Sequence, residues 1–257
     1  MQKRPLIFIT NDDGYLAKGI KNLIEVMSQI GDVLVVAPDG PRSGMSCAIT
    51  SMTPVRHHLL SKEEGSAIYA CSGTPVDCVK FGISQLAERK PDIIVSGVNH
   101  GSNASVCVLY SGTMGAALEG AVLGIPSIGF SLLDHAADAD FSHTYKYLKE
   151  ITLSVLKTGL PNGVCLNVNF PDASTGIKGA KVCSQAEGRF VQEFKQSTDG
   201  NERVIHWLTG YFENTDPNNQ SNDEWALANG YASIVPTRVD MTDYSSIEAL
   251  SNLENIK

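Results

Sequence analysis

Leu6-Ile7-Phe8-Ile9, followed at once by Thr10-Asn11-Asp12-Asp13-Gly14, is a short apolar run that breaks into polar turn residues. Ile20, Leu23, Ile24 and Met27 then recur at helical spacing, so the segment reads as strand, loop, helix. Val33-Leu34-Val35-Val36-Ala37 repeats the strand signal without alternation, the pattern of a strand covered on both faces and hence of a parallel sheet. Further along, Ile93-Ile94-Val95-Ser96, Ser127 to Phe130 and Val164 to Val168 supply more strands. Gly112 to Leu123 and Tyr145 to Leu156 supply helices. Gly73-Thr74-Pro75-Val76-Asp77 has the grammar of a helix start, with Thr74 as N-cap, Pro75 at the first helical position and Asp77 in the first turn of a helix reaching about Ala87. This alternation predicts an α/β fold with a doubly wound, mostly parallel sheet.

Two regions depart from the alternation. Val55 to Leu60 and Ala67 to Cys71, separated by the polar stretch Ser61 to Ser66, suggest a hairpin excursion at about residues 50–71. Beyond Pro171 the pattern loosens into short β-like pieces at Lys181 to Ser184, Arg189 to Phe194 and Val204 to Gly210. A short helix from Trp225, a late strand at Ala232 to Val235 and a terminal helix at Ile247 to Leu253 follow. Residues 1–171 therefore read as the main α/β region. Residues 172–257 read as a β-rich C-terminal extension of the same domain, partly returning to the core, that packs on the main domain or on a second subunit.

The 257 residues, 42% hydrophobic and 19% charged, suit one sizeable core and exclude a disordered chain or a multi-span membrane protein. A net charge of −8, with no Lys/Arg cluster longer than a pair, argues against binding a nucleic-acid polymer, which needs a continuous basic surface. Any anionic ligand must be held locally. The first apolar run is too short for a signal peptide and nothing later resembles a membrane span, so a cytoplasmic protein is expected. Cys47, Cys71, Cys78, Cys107, Cys165 and Cys183 include no Cys-x-x-Cys pair and no partner at zinc-ligand spacing, and read as reduced, buried thiols.

In an open α/β sheet the loops at the carboxyl ends of the strands share one crevice. Here those loops carry Asn11-Asp12-Asp13-Gly14, Pro38 to Ser46, Gly97 to Asn103 and, opening a helix, Tyr110-Ser111-Gly112-Thr113. The adjacent carboxylates of Asp12 and Asp13 would repel each other at neutral pH without a cation. With Ser43 and Asn99 the donor set is all oxygen, suiting one Mg²⁺ or Mn²⁺ and not Zn²⁺. The structural alternative is that Asp12 caps the helix beginning near Ala17 and Asp13 makes a turn with Gly14. Ser111, Gly112 and Thr113 at a helix start form a phosphate-binding candidate, or a plain cap. Arg42 could offer paired donors to an oxyanion. His100 invites a general-acid role but shows no carboxylate partner. Neither a P-loop Lys nor a Gly-x-Gly-x-x-Gly after the first strand is present.

Taken in order, Ile9 to Gly14, Val36 to Asp39 with Arg42 to Ser46, Gly73-Thr74-Pro75-x-Asp77-Cys78, Ser96 to Asn99 with Gly101 and Asn103, and Tyr110 to Thr113 resemble the survival protein SurE family of metal-dependent nucleotidases. Leu166-Asn167-Val168-Asn169-Phe170-Pro171 extends the likeness. The resemblance implies a Rossmann-like region, a C-terminal segment used in forming a homodimer or homotetramer, and a divalent ion on Asp12, Asp13, Ser43 and Asn99. It also implies a nucleoside 5′- or 3′-monophosphate substrate, in some members short polyphosphate, with Asn103 and Ser111 to Thr113 on the phosphate. The chemistry expected is metal-assisted hydrolysis in which Asp12 or Asp13 takes a proton from water. An aspartyl-phosphate mechanism fails on spacing, because two residues beyond Asp12 and Asp13 stand Gly14 and Tyr15. A nucleotide-binding sensor without turnover is the non-enzymatic alternative.

Overall fold

A computed structural model describes residues 4–256. The first apolar run becomes β1 (Leu6–Thr10), followed by α1 (Lys18–Ser28), β2 (Asp32–Pro38), β3 (His57–Glu63), β4 (Ser66–Cys71) and α2 (Pro75–Phe81). Then come β5 (Ile93–His100), α3 (Gly112–Val122), β6 (Ser127–Leu132), α4 (Tyr145–Thr158) and β7 (Val164–Phe170). The remainder forms β8 (Gly179–Val182), β9 (Gly188–Val191), β10 (Phe194–Thr198), β11 (Val204–Leu208), β12 (Tyr211–Asn214), α5 (Asp223–Ala228) and β13 (Tyr231–Arg238).

The central strands β1, β2 and β5 carry unbroken apolar runs because each face is covered. Ile7 and Ile9 of β1, Val33 and Val35 of β2, and Ile93 and Val95 of β5 pack with Ile20, Leu23 and Met27 of α1 and Leu148 of α4. Phe8, Leu34, Val36 and Ile94, the intervening residues, pack on the opposite face with Cys78 and Val79 of α2 and Ala116 of α3. Neighbouring residues on a strand point to opposite faces, so the continuous runs are the signature of this two-sided burial.

The nine-stranded sheet runs β3-β4-β2-β1-β5-β6-β7-β13-β8. β4, β2, β1, β5, β6 and β7 are mutually parallel. The doubly wound α/β expectation holds. From β1 the chain first builds outward through β2, then returns to lay β5 on the other side of β1. That reversal opens the crevice into which the loops after β1 and β5 project.

Residues 57–71 form an antiparallel hairpin whose second strand, β4, pairs with β2 and so continues the main sheet. At the other edge β13 runs antiparallel to β7, and β8 lies beyond it. β10 pairs with β11, and β12 with β9, outside that sheet. The terminal helix expected at 247–253 is instead a pair of 3₁₀ segments, Tyr244–Ser246 and Glu248–Asn255. Ile247, Leu250 and Leu253 stay exposed there, so no packed face supports a regular α-helix.

Candidate active site

The loop after β1 is fastened to the loop after β2. Tyr15 N–H donates to the Pro38 carbonyl at 3.0 Å, and Arg42 N–H donates to the Asp12 carbonyl at 2.7 Å. Gly14 (φ +96°) lies so close to Gly40 that a Cβ would fall 3.2 Å from its carbonyl carbon. These contacts bring the segment bearing the exposed Ser43 to the main chain of Asp12.

Asp12 does not cap α1. Ala17 holds the cap position, without a side-chain bond. Asp12 is buried and turned to α3 instead, where Thr113 Oγ1 donates to its Oδ1 at 2.6 Å. At Gly112 an added Cβ would sit 2.8 Å from Asp12 Cβ and 3.0 Å from Oδ2, so only glycine lets the helix start approach this closely. Burial pushes the pKa of Asp12 up to about 6, the Thr113 hydroxyl opposes the rise, and the charge of Asp13 adds to it. Burial raises Asp13 as well, against the His100 N–H and the nearby His100 and His135 rings.

Asn99 is the penultimate residue of β5, and its Nδ2 donates to the Gly101 carbonyl at 2.9 Å. That bond orients the amide and leaves its Oδ1 as the open acceptor. Among the described residues no three His, Cys, Asp or Glu gather as a metal-holding group.

Ser111 is the N-cap of α3, its Oγ accepting the Met114 N–H at 3.0 Å. The hydroxyl hydrogen remains free to donate to a ligand. Thr113 differs: fully buried and committed to Asp12, it reaches a ligand only through that carboxylate. Asn103 is buried, gripped by Ser131, Asn167 and Asn169.

Two further candidates are spent on structure. His100 Nε2 accepts the Gly19 N–H at 3.3 Å, so Nδ1 carries the proton and donates to the Ala136 carbonyl at 2.9 Å. The imidazole thus satisfies an orphan N–H in the first turn of α1 and has no atom left for acid catalysis. The Arg42 guanidinium donates to Asp39 at 2.9 Å and to the carbonyls of Ser72 and Gly73 at 3.1 and 3.4 Å. It clamps the loops and does not face an oxyanion.

One residue beside the candidate site carried no signal in the sequence. His135, in the loop after β6, lies against Gly101, where a Cβ would fall 2.3 Å from its ring. It lines a cavity of about 530 Å³ with Asp13, Leu16, Lys21 and His100. Another cavity, of about 350 Å³ between Asp32 and Arg89, lies at the opposite, amino end of the strands.

A family model described as Survival protein SurE matches residues 7–192. The chain belongs to the SurE family. Among curated SurE relatives, a protein named 5′-nucleotidase SurE from Bacteroides fragilis is 49% identical over 252 residues, covering 98% of each chain. Another of that name from Christiangramia forsetii is 52% identical over 254 residues, covering 98% of this chain and 97% of its own. The crystal structure of the SurE protein from Aquifex aeolicus superposes with a TM-score of 0.84 at 34% identity, covering 98% of this chain and all of that one. The SurE fold thus extends over the C-terminal strands as well as the motif-bearing loops.

Proposed function

We propose that the protein is a divalent-metal-dependent 5′-nucleotidase. It hydrolyses nucleoside 5′-monophosphates, with 3′ esters as a second substrate class, to nucleoside and phosphate. The observation that carries this reading is a buried carboxylate, Asp12, held by Thr113 against the opening of α3 with Asp13 at its side. The name shared by the full-length relatives supports the activity.

Asp12, Asp13, Ser43 and Asn99 fit one Mg²⁺ or Mn²⁺, because every available donor is oxygen and the paired carboxylates gain most from a cation. Such an ion supplies polarisation of the phosphoryl group and a lowered pKa for water. Asp13, the less buried carboxylate and the one lining the cavity, accepts the proton of the attacking water. Asp12, its Oδ1 fixed by Thr113, serves as the rigid ligand. The hydroxyl of Ser111, the amide of Asn103 and the N–H groups opening α3 at Gly112 stabilise charge on the equatorial oxygens. The leaving nucleoside occupies the cavity beside Asp13, between Leu16 and His135.

We also propose assembly into a homodimer or homotetramer through residues 172–257. Phe194, Trp207 and Leu208 on the β10–β11 pair are exposed and support it. Among the described residues no helix is long and apolar enough to cross a membrane. All six thiols are free; four are buried as expected, whereas Cys47 is exposed and Cys107 half-buried, and the set supports a reducing, cytoplasmic setting.

The test is phosphate release from AMP and GMP with Mg²⁺ or Mn²⁺, before and after chelation. Turnover is expected only with metal and is expected to vanish in the Asp12→Asn, Asp13→Asn double variant. Retained turnover in that variant overturns the assignment, and nucleotide binding with no release across both ions makes the protein a sensor.

A further inference from the structure

The main chain of Asn103 is held from both sides by buried side chains that the proposed reaction does not use. Asn169 Oδ1 accepts the Asn103 N–H at 2.8 Å, and Asn167 Nδ2 donates to the Asn103 carbonyl at 2.7 Å. Asn169 Nδ2 donates in turn to Asn167 Oδ1 at 2.8 Å, locking both amides in one orientation. The side chain of Asn103 is fixed as well, its Nδ2 donating to Ser131 Oγ at 2.7 Å. Asn167 and Asn169 alternate along one face of β7, and Ser131 of β6 stands in register with Asn169.

Two residues on, Ser105 has a left-handed backbone (φ +46°), unusual for a side chain other than glycine. Its N–H donates to Asp223 Oδ2 at 2.8 Å, while Oδ1 accepts the N–H of Ala186 and of Glu224, both at 2.9 Å. Asp223 is fully buried at the first position of α5, in the C-terminal extension. Four polar side chains packed into a core are costly unless each is satisfied, and apolar residues of the same volume would serve a merely structural edge as well. Here they converge on a single loop. Of the Asn103 amide, one Nδ2 hydrogen and Oδ1 are left without a protein partner among the described residues.

We propose that Ser131, Asn167, Asn169 and Asp223 are positioning residues. They hold the loop of residues 103–105 so that the remaining Asn103 Nδ2 hydrogen meets a phosphate oxygen of the substrate. This rests on the reading of Asn103 as a phosphate-binding residue. The extension is then part of the site's alignment, although none of its residues touches substrate.

The experiment compares Ser131→Ala, Asn169→Leu, Asp223→Asn and Asn103→Ala with the parent, using Thr152→Val, a buried α4 hydroxyl without a partner, as control. For each, kcat and KM for AMP with Mg²⁺, inhibition by inorganic phosphate and Mn²⁺ affinity by calorimetry are measured. A displaced catalytic group costs about 10–100-fold, so kcat/KM is expected to fall and the phosphate inhibition constant to rise by about tenfold or more in the first three variants. Mn²⁺ affinity is expected to stay within about twofold, since the metal residues are untouched. Should Asn169→Leu fail to fold, Ser131→Ala and Asp223→Asn carry the test. The proposal is overturned if those two match the parent while Asn103→Ala is crippled, or if they lose Mn²⁺ affinity in step with activity. If Asn103→Ala itself keeps parental turnover and phosphate inhibition, the fault lies one level down, in the phosphate reading.

Discussion

The hydroxyl of Thr113 and the carboxylate of Asp12 are 2.6 Å apart, a bond that joins the first residues of α3 to the loop after β1 across 101 positions of sequence. Thr113 is the donor, so the bond favours the charged form of Asp12 against the burial that opposes it.

Thr113→Val keeps the volume and removes that donor. A hydrogen bond to a charged group contributes about 1.5–3 kcal/mol, so Asp12 is expected to titrate higher and kcat/KM for AMP to fall about tenfold or more at neutral pH. Thr113→Ser, which restores the hydroxyl, is expected to recover most of it. A pH–rate profile checks both, since the acid limb of the valine variant should move to higher pH.

His135→Ala tests the cavity beside Asp13. If the nucleoside lies there, KM for AMP rises about five- to tenfold while kcat/KM for methyl phosphate, which has no nucleoside, is unchanged. Equal losses on both substrates would move the nucleoside elsewhere.

Asp77 fastens the start of α2 to the loop after β2. It accepts the Thr74 N–H at 2.9 Å and the Thr50 N–H through both oxygens at 3.0 and 3.1 Å. Burial raises its pKa, but the bonds from Thr50 and Thr74 outweigh it and hold the carboxyl below its ordinary value. A pKa lower folded than unfolded gives stability that is complete above the unfolded value near 4 and lost as pH falls through the folded one. Asp77→Asn is expected to cost about 1–2 kcal/mol at neutral pH, read as a lower thermal midpoint, with the gap from the parent closing as pH falls through the lowered folded pKa of Asp77.

Trp207→Glu places a charge on the exposed face of β11. Sedimentation at micromolar concentration is expected to show the parent as a dimer or tetramer and this variant shifted towards monomer. A monomeric parent would remove the assembly proposal.

The frame of the molecule was legible because its signals are local. The unbroken apolar runs at Leu6 to Ile9 and Val33 to Ala37 announce strands buried on two faces. Thr74, Pro75 and Asp77 spell a helix start, and the capping box forms, with Thr74 Oγ1 accepting the Asp77 N–H at 3.1 Å. The candidate metal oxygens of Asp12, Asp13, Ser43 and Asn99 were chosen by the same local logic, from the carboxyl ends of β1 and β5 and the loop after β2. What escaped was set by tertiary pairing. Nothing near Arg42 reveals that Ser72 and Gly73 will absorb its donors, nor does anything near His135 place it over Gly101. Thr113 reads as a phosphate contact until the packing turns its hydroxyl inward. β9 and β11 were legible only as the loose pieces Arg189 to Phe194 and Val204 to Gly210, and β10 and β12 were not, because these strands are short and lack the burial that makes a strand readable.

The clamp of Asp223 on Ser105 spans 118 residues, and it orders events in time as well as space. A growing polypeptide that has left the ribosome as far as β7 already carries both aspartates, the loop amides and the opening of α3. It lacks the anchor that sets Ser105. Alignment of the loop therefore waits until α5 has been made, and a nascent chain holds its reagents before it can aim them.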